Sequence, residues 1–278
     1  MEAYMVIELK RLDLDKIAAS GQCFRWQKQP DSAYRIPFRE KCIYICHIGG
    51  DLYEISCDQA TFDRYWADYF DMQTDYDMID SMIDPVGDPY LYKASLDQRG
   101  VRILKQDLWE MLVTSIITQN RNIPAIIRSV EKLSAMAGRQ LADDRGNAFY
   151  TFPGPGDILR LNDEALDSCR LGYRKSYIVK AAQAVISGGL DLEQLRLMSD
   201  EACREKLLSL YGVGEKVAAC VMLFGMHRLD AFPRDVWIRR VLEERYQNTF
   251  SFERYAPYNG VIQQYLFAYI RKESARLR

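Results

Sequence analysis

Lys216 and Asp235 are the two residues whose types and settings could carry covalent chemistry. Lys216 lies just beyond Gly212-Val-Gly214 and opens the run Val217, Ala218, Ala219, Cys220, Val221, which offers little to solvate a charge. Such surroundings favour a neutral amine that can act as a nucleophile. Gly212 and Gly214 can take backbone conformations closed to other residues and bring N–H groups near a second molecule. They also precede a helix, whose N-terminus attracts anions such as phosphate. Asp235, in Pro233-Arg-Asp-Val236, is a carboxylate at another helix start, where the dipole is expected to keep it ionised. The plainer account is also open: a Gly-x-Gly turn with a solvated lysine, and an aspartate that only caps a helix.

The elements that would position these groups follow from periodicity. Leu207, Leu208 and Leu210 recur at near-helical spacing and predict a helix over 201–210; a second apolar helix over 215–226 follows the glycines. Asp235 is then the expected N-cap of a helix over 236–246, and a last helix over 257–272 carries Gln263, Phe267 and a basic tail. Upstream, Asp107 is the expected N-cap of a strongly apolar helix to Thr118, followed by the polar cluster Gln119-Asn-Arg-Asn122 and a helix opened by Ile123-Pro124. That cluster reads either as a solvated loop or as amides and a guanidinium offered to base edges. Leu171-Gly-Tyr-Arg-Lys-Ser-Tyr177 opens a helix to Ser187, with Tyr173, Arg174 and Lys175 placed to stack on a base and hold a phosphate, or simply to form an exposed cap. Ala3 to Leu9, Lys41 to Ile48 and Leu52 to Ile55 are rich in β-branched and aromatic residues, and Gly49-Gly50-Asp51 turns between the last two. Gly21-Gln-Cys-Phe-Arg-Trp26 reads locally as one more turn and strand with a buried Phe and Trp. The segment 61–70, with Thr61 as expected cap, and the segment 75–84 are helical in pattern. The fold class is therefore α+β, mainly α: an amino-terminal antiparallel sheet domain with connecting helices (1–100) and a helical domain (101–278) containing a helix-hairpin-helix over about 201–226.

Composition narrows the classes. The chain has 278 residues, 48% hydrophobic and 27% charged, ordinary for a globular protein with a real core. Seven scattered cysteines without paired spacing argue for reduced thiols rather than disulfides, and with only His47 and His227 a zinc site is not expected. No leader pattern and no apolar run of membrane-spanning length is present, so no membrane association and a cytoplasmic location are expected. The net charge of −2 hides an asymmetry: residues 1–100 carry −7 and the remainder +5, which makes the carboxy-terminal part the better face for a polyanion.

Taken together, Gly21 to Trp26, Gln106-Asp-Leu-Trp-Glu-Met-Leu112, Gln119 to Ile123, Gly172-Tyr-Arg174, the hairpin with Lys216, Pro233 to Val236 and Gln263 to Phe267 resemble the helix-hairpin-helix DNA glycosylases, and within them the 8-oxoguanine DNA glycosylases. The resemblance runs from Gly21 to Phe267 and implies a twisted antiparallel sheet attached to a helical domain whose cleft holds the lesion. It implies that Lys216 attacks C1′ of the deoxyribose, that the Schiff base permits β-elimination, and that Asp235 stabilises charge on the sugar. It further implies that Gly21, Cys220, Gln263 and Phe267 hold the extruded base, the Gly21 carbonyl meeting the N7 hydrogen that guanine lacks. Asn120 and Arg174 would hold the orphaned cytosine, Tyr173 would wedge into the stack, and Gly212 and Gly214 would grip the backbone. The implied partner is double-stranded DNA containing 8-oxoguanine, bound by a monomer that works at the nucleoid of a prokaryote.

The pattern departs from the family in three places. Ala125 stands where eukaryotic members carry an arginine for the opposite cytosine, so relaxed opposite-base selectivity is expected. Trp237 and Ile270 stand where many members have a histidine and its paired aspartate. No cysteine follows Cys220, so the iron–sulfur cluster of the endonuclease III and adenine-glycosylase branches is not expected, nor any other cofactor or metal. Whether a monovalent or divalent cation sits at the hairpin carbonyls is left open. The competing readings are a glycosylase for another damaged base, against which Lys216 argues, and a non-catalytic module that grips phosphates.

Overall fold

A computed structural model describes residues 4–276; Ala3, at the start of the first expected strand, lies outside them. Five antiparallel strands form one sheet: β1 (Met5–Glu8), β2 (Gln27–Lys28), β3 (Tyr34–Phe38), β4 (Lys41–Gly49) and β5 (Leu52–Ile55), in spatial order β1-β5-β4-β3-β2. The β4–β5 pairing runs from Ile45↔Ile55 to Gly49↔Leu52 and shifts register between His47 and Gly49. One face is apolar: Ile36, Ile43, Ile45, Tyr53 and Ile55 pack with Trp66, Tyr69, Phe70 and Leu104. Ile17, from the helix Leu14–Ala19 inserted between β1 and β2, completes that cluster.

Most of the remainder is helical. The expected helix over 61–70 is present but starts earlier, capped by Asp58, whose Oδ1 accepts from Thr61 N at 2.7 Å; Thr61 is not the cap. Its Phe62–Trp66 portion is a π-helical turn, which the aromatic spacing alone does not distinguish from an α-helix. Asp107, Asn122 and Asp235 do cap the helices Leu108–Ile117, Ile123–Ala137 and Val236–Glu244. A two-stranded hairpin, Gln140–Ala142 with Ala148–Tyr150, interrupts the otherwise helical second half and was not legible in the sequence.

The helical residues form two clusters. One gathers Leu108 to Ile117, Ile178, Leu207, Val217 and Val221. The other joins Tyr76, Ile79, Ile83, Leu91 and Ala94 to Ile238, Val241, Tyr265, Leu266 and Ile270. The helices Tyr76–Ser81 and Pro89–Asp97 thus pack with the carboxy-terminal elements, above all with the long helix Asn259–Arg276. Among the described residues no helix is long and apolar enough to cross a membrane.

Candidate active site

The helix Asp200–Leu208 ends at Ser209, the chain turns through Gly212 with φ +83°, and the helix Glu215–Cys220 begins with Gly214 as N-cap. Gly212 is required twice over. Its φ is left-handed, and a Cβ there would fall inside the ring of Tyr177. Gly214, by contrast, faces open space. The Gly212 carbonyl accepts from Gln119 Nε2 at 3.0 Å, which ties the hairpin to the polar loop after Leu108–Ile117. The helix continues into a π-helical turn, Val221–Gly225, which brings Gly225 close against Met111 and Leu108.

From this helix the half-buried Lys216 reaches the end of the helix Leu108–Ile117, where its Nζ donates to Thr118 Oγ1 at 2.9 Å. The buried Cys220 lies beside it, one turn on; burial pushes its thiol up, against the pull of Lys216. Asp235 is half-buried, and its Oδ1 accepts from Trp237 N at 3.0 Å and Ile238 N at 2.9 Å. Those N–H groups, Lys216 and Arg271 all favour the carboxylate, yet burial outweighs them and raises its pKa. The helix terminus thus favours an ionised Asp235, as expected, while partial burial opposes it. The N-cap bonds act as anticipated, but the desolvation that accompanies them is larger.

The base-side residues converge from the two ends of the chain. Gly21 has φ +78°, and a Cβ on it would stand 3.3 Å from Phe267 Cε1, so its backbone faces that ring closely. The loop is rigidly held by its neighbour. Gln22, 0% exposed, donates to Ser20 Oγ and Arg102 O, both at 2.9 Å, and accepts from Leu104 N at 2.8 Å. Gln106 Nε2 donates back to Gln22 O at 2.8 Å. Phe24 is buried as expected, and Cys23 with it, but residues 21–26 form a loop ahead of β2 rather than a strand, and Trp26 is only half-buried, donating through its Nε1 to Tyr69 OH at 2.8 Å. Gln263 is only 3% exposed; its Nε2 donates to Pro233 O at 3.1 Å and its Oε1 accepts from Gln264. It lies two residues from Asp235 through Pro233, but meeting a base edge requires its amide to exchange those partners.

A second group surrounds the polar loop. Asn120, exposed with φ +50°, donates to Tyr173 OH at 3.3 Å. Tyr173 is 49% exposed, stands edge-on to Tyr177 at 5.5 Å and is covered by the Arg174 guanidinium at 4.3 Å. Arg174 itself is 6% exposed and turns inward: Nε donates to Gln119 O at 2.8 Å, Nη1 to Leu171 O at 3.3 Å, and Nη2 to Gln119 O. In this state it braces the loop, and reaching an orphaned base requires it to leave those carbonyls. Lys175, weighed above as a phosphate contact, is paired with Asp167 at 2.7 Å and Asp163 at 3.4 Å.

Thr118 and Arg271 are site neighbours that the sequence did not single out. Thr118 reads as the end of a helix, and only tertiary packing brings it to Lys216. Arg271 reads as part of a basic tail; its guanidinium instead lies over the Phe267 ring at 5.1 Å and donates to Ala19 O at 3.2 Å. Trp237 and Ile270 share one apolar cluster, Ile270 buried and Trp237 partly so. Among the described residues no three His, Cys, Asp or Glu side chains gather as a metal site would need.

Two family models match adjacent stretches of the chain: the 8-oxoguanine DNA glycosylase N-terminal domain over residues 5–112, and the HhH-GPD superfamily of base excision DNA repair proteins over residues 113–250. A solved structure titled MBOgg1 in complex with a low-affinity DNA ligand matches with a TM-score of 0.91 and 34% identity, over 99% of this chain and 97% of that one. The chain belongs to the 8-oxoguanine DNA glycosylase family. The Clostridium acetobutylicum 8-oxoguanine glycosylase/lyase, solved with duplex DNA containing cytosine opposite 8-oxoguanine, is 31% identical at a TM-score of 0.87, over 99% of this chain and all of that one. The Saccharomyces cerevisiae N-glycosylase/DNA lyase is 28% identical over 271 residues, covering 87% of this chain and 70% of that protein. With these family members the chain shares the architecture of a small antiparallel sheet joined to helices.

Proposed function

We propose that the protein is a bifunctional DNA glycosylase and abasic-site lyase that removes 8-oxoguanine from double-stranded DNA in base excision repair. The observation that carries this reading is an amine set near a partly buried carboxylate, with a close-approach glycine tied to the same surroundings through Phe267 and Arg271. Lys216 donates to Thr118 beside Cys220 and acts on Asp235, Gly21 closely approaches Phe267, and Arg271 covers that ring and also acts on Asp235.

The Lys216 amine attacks C1′ of an extruded nucleotide, forming a C–N bond as the bond from C1′ to the base breaks. Thr118 Oγ1 holds the amine in place beforehand. Asp235 stabilises the positive charge that builds on the sugar, fixed by the N–H groups of Trp237 and Ile238. Opening of the sugar ring gives a Schiff base, and loss of a C2′ proton then expels the 3′ phosphate. Gly21 selects the lesion: its carbonyl accepts the N7 hydrogen of the oxidised base, whereas a normal guanine would oppose it with a lone pair. That difference is on the order of 1–3 kcal/mol for a buried acceptor. Phe267 and Cys220 flank the base, Gln263 reads its far edge after exchanging partners, and Gly212 and Gly214 bring backbone N–H groups to the strand. Tyr173 fills the vacated stack, and Asn120 with Arg174 receives the orphaned base. The protein acts as a monomer at the nucleoid, and no cofactor enters the reaction.

Borohydride trapping on an 8-oxoguanine duplex tests the scheme. The protein is expected to give a covalent adduct, and Lys216→Gln to lose the adduct while still binding the duplex. An adduct with Lys216→Gln would show that another amine is the nucleophile. Absence of an adduct with the unaltered protein would overturn the lyase reading.

A further inference from the structure

Arg271, on the helix Asn259–Arg276, touches both the Gly21 loop and the Phe267 ring. It donates to Ala19 O at 3.2 Å, two residues before Gly21. It covers the Phe267 ring at 5.1 Å, and that ring is the surface that Gly21 approaches. With Lys216, it is also a positive charge that favours the Asp235 carboxylate. A guanidinium is suited to all three tasks, since it is planar enough to lie on a ring and keeps its charge throughout.

We infer that Arg271 is a positioning residue for base excision: it fastens the Gly21 loop to the Phe267 wall and sets a fixed positive charge beside Asp235. The inference rests on the proposed glycosylase/lyase reaction. Three consequences follow from the geometry. Without Arg271 the Ala19–Gly21 segment loses a tie to the helix that carries Phe267, so the spacing that admits one base between them is less well defined. The ring loses its partner on one face. The carboxylate of Asp235 loses one of the charges that oppose its burial, leaving Lys216, the N–H groups of Trp237 and Ile238, and the neighbouring Cys220 thiol around it.

The sign of the pH effect is fixed by these surroundings. Asp235 must be ionised to stabilise a cationic sugar, and burial already raises its pKa. Removing the Arg271 charge raises it further, so the acid limb of the excision profile moves to higher pH. A lysine at 271 keeps the charge but neither the planar cover of Phe267 nor the guanidinium geometry.

The experiment compares Arg271→Met and Arg271→Lys with the unaltered protein in single-turnover excision of 8-oxoguanine across a pH series. Borohydride trapping on a duplex with a preformed abasic site, which has no base to position, is run in parallel. For Arg271→Met, excision is expected to fall about tenfold more than trapping, and the acid limb to move up by roughly half a pH unit or more. Arg271→Lys is expected to return the acid limb to its original place while excision stays slow. An acid limb that does not move in Arg271→Met overturns the inference, as does an equal loss of excision and trapping in both variants. If the unaltered protein traps neither duplex, the reaction itself has been misread, an outcome distinct from either of these.

Discussion

Asp235 serves stability and catalysis in opposite senses. As an N-cap it satisfies two N–H groups at the start of Val236–Glu244, a role asparagine fills about as well. As a half-buried carboxylate it is desolvated and its pKa is raised, so its ionisation detracts from stability. A group whose pKa is raised on folding contributes stability that is complete below its unfolded pKa and lost as the pH rises through the folded value. Asp235→Asn is therefore expected to melt at or above the temperature of the unaltered protein at neutral pH, with the gain disappearing in acid. Its excision rate should fall by a factor on the order of a hundred or more, as for removal of a charge that acts at the transition state. Thermal melts at two pH values and single-turnover rates check both halves, and a strongly destabilised variant would show that capping by the charged form dominates. At Ala125 the expectation is one of specificity. This residue lies in the first turn of Ile123–Ala137, where its N–H donates to Asn122 Oδ1 and its methyl offers no donor to an opposite base. Excision of 8-oxoguanine paired with each of the four bases is expected to vary by no more than about tenfold, the scale of one missing hydrogen bond; a strong cytosine preference would assign that selectivity to Asn120 and Arg174 alone.

At the scale of elements, the hairpin is positioned by two contacts that lie far away in the chain, the Tyr177 ring under Gly212 and the Gln119 amide on its carbonyl. Gly212→Ala is expected to cost about 2 kcal/mol or more, combining a left-handed φ with overlap onto the ring. Tyr177→Ala in the same chain should recover the overlap but not the backbone strain, so the two changes should couple by more than about 0.5 kcal/mol in denaturant titrations. Simple additivity would mean that the ring moves aside freely. The elements also show where sequence reading stops. The caps at Asp107 and Asp235, the β4–β5 turn and the paired helices around the glycines were legible because each depends on residues a few positions apart. The start of the helix at Asp58, the π-turns and the hairpin Gln140–Ala142 with Ala148–Tyr150 were not, because aromatic spacing alone does not report a shifted helical register and the strands are only a few residues long. Among site residues, glycines and Lys216 stood out by composition. Thr118 and Arg271 did not, since their relevance comes only from partners at the other end of the fold.

The whole molecule is joined by a charge cluster around the buried Arg25. Arg25, from the loop before β2, reaches Glu110 at 3.5 Å and Glu131 at 3.7 Å, and also donates to Tyr150 O. The sheet end of the chain is thereby connected to three elements of the second half. Burial outweighs Arg25 and pushes Glu110 up to about 7; Glu131 is also raised. By the same linkage, the stability contributed by the Glu110 proton is full below the ordinary carboxyl value of 4.5 and is lost as the pH rises to about 7. The melting temperature is expected to fall between about pH 5 and about pH 7, and Glu110→Gln to flatten that slope. A slope unchanged in Glu110→Gln would place the titration on another group.

The Gln22 anchor has a consequence for how this enzyme could change. Its amide is embedded among Ser20, Arg102 and Leu104, so the Gly21 carbonyl proposed to inspect the lesion is part of the same scaffold that keeps the chain folded. Variants that shift this loop are expected to be lost as unfolded protein before their choice of base can be sampled. Change is thereby steered toward the positions proposed for the opposite base and the vacated stack, such as Ala125 and Tyr173, where a side chain can be exchanged while the Gly21 backbone stays fixed.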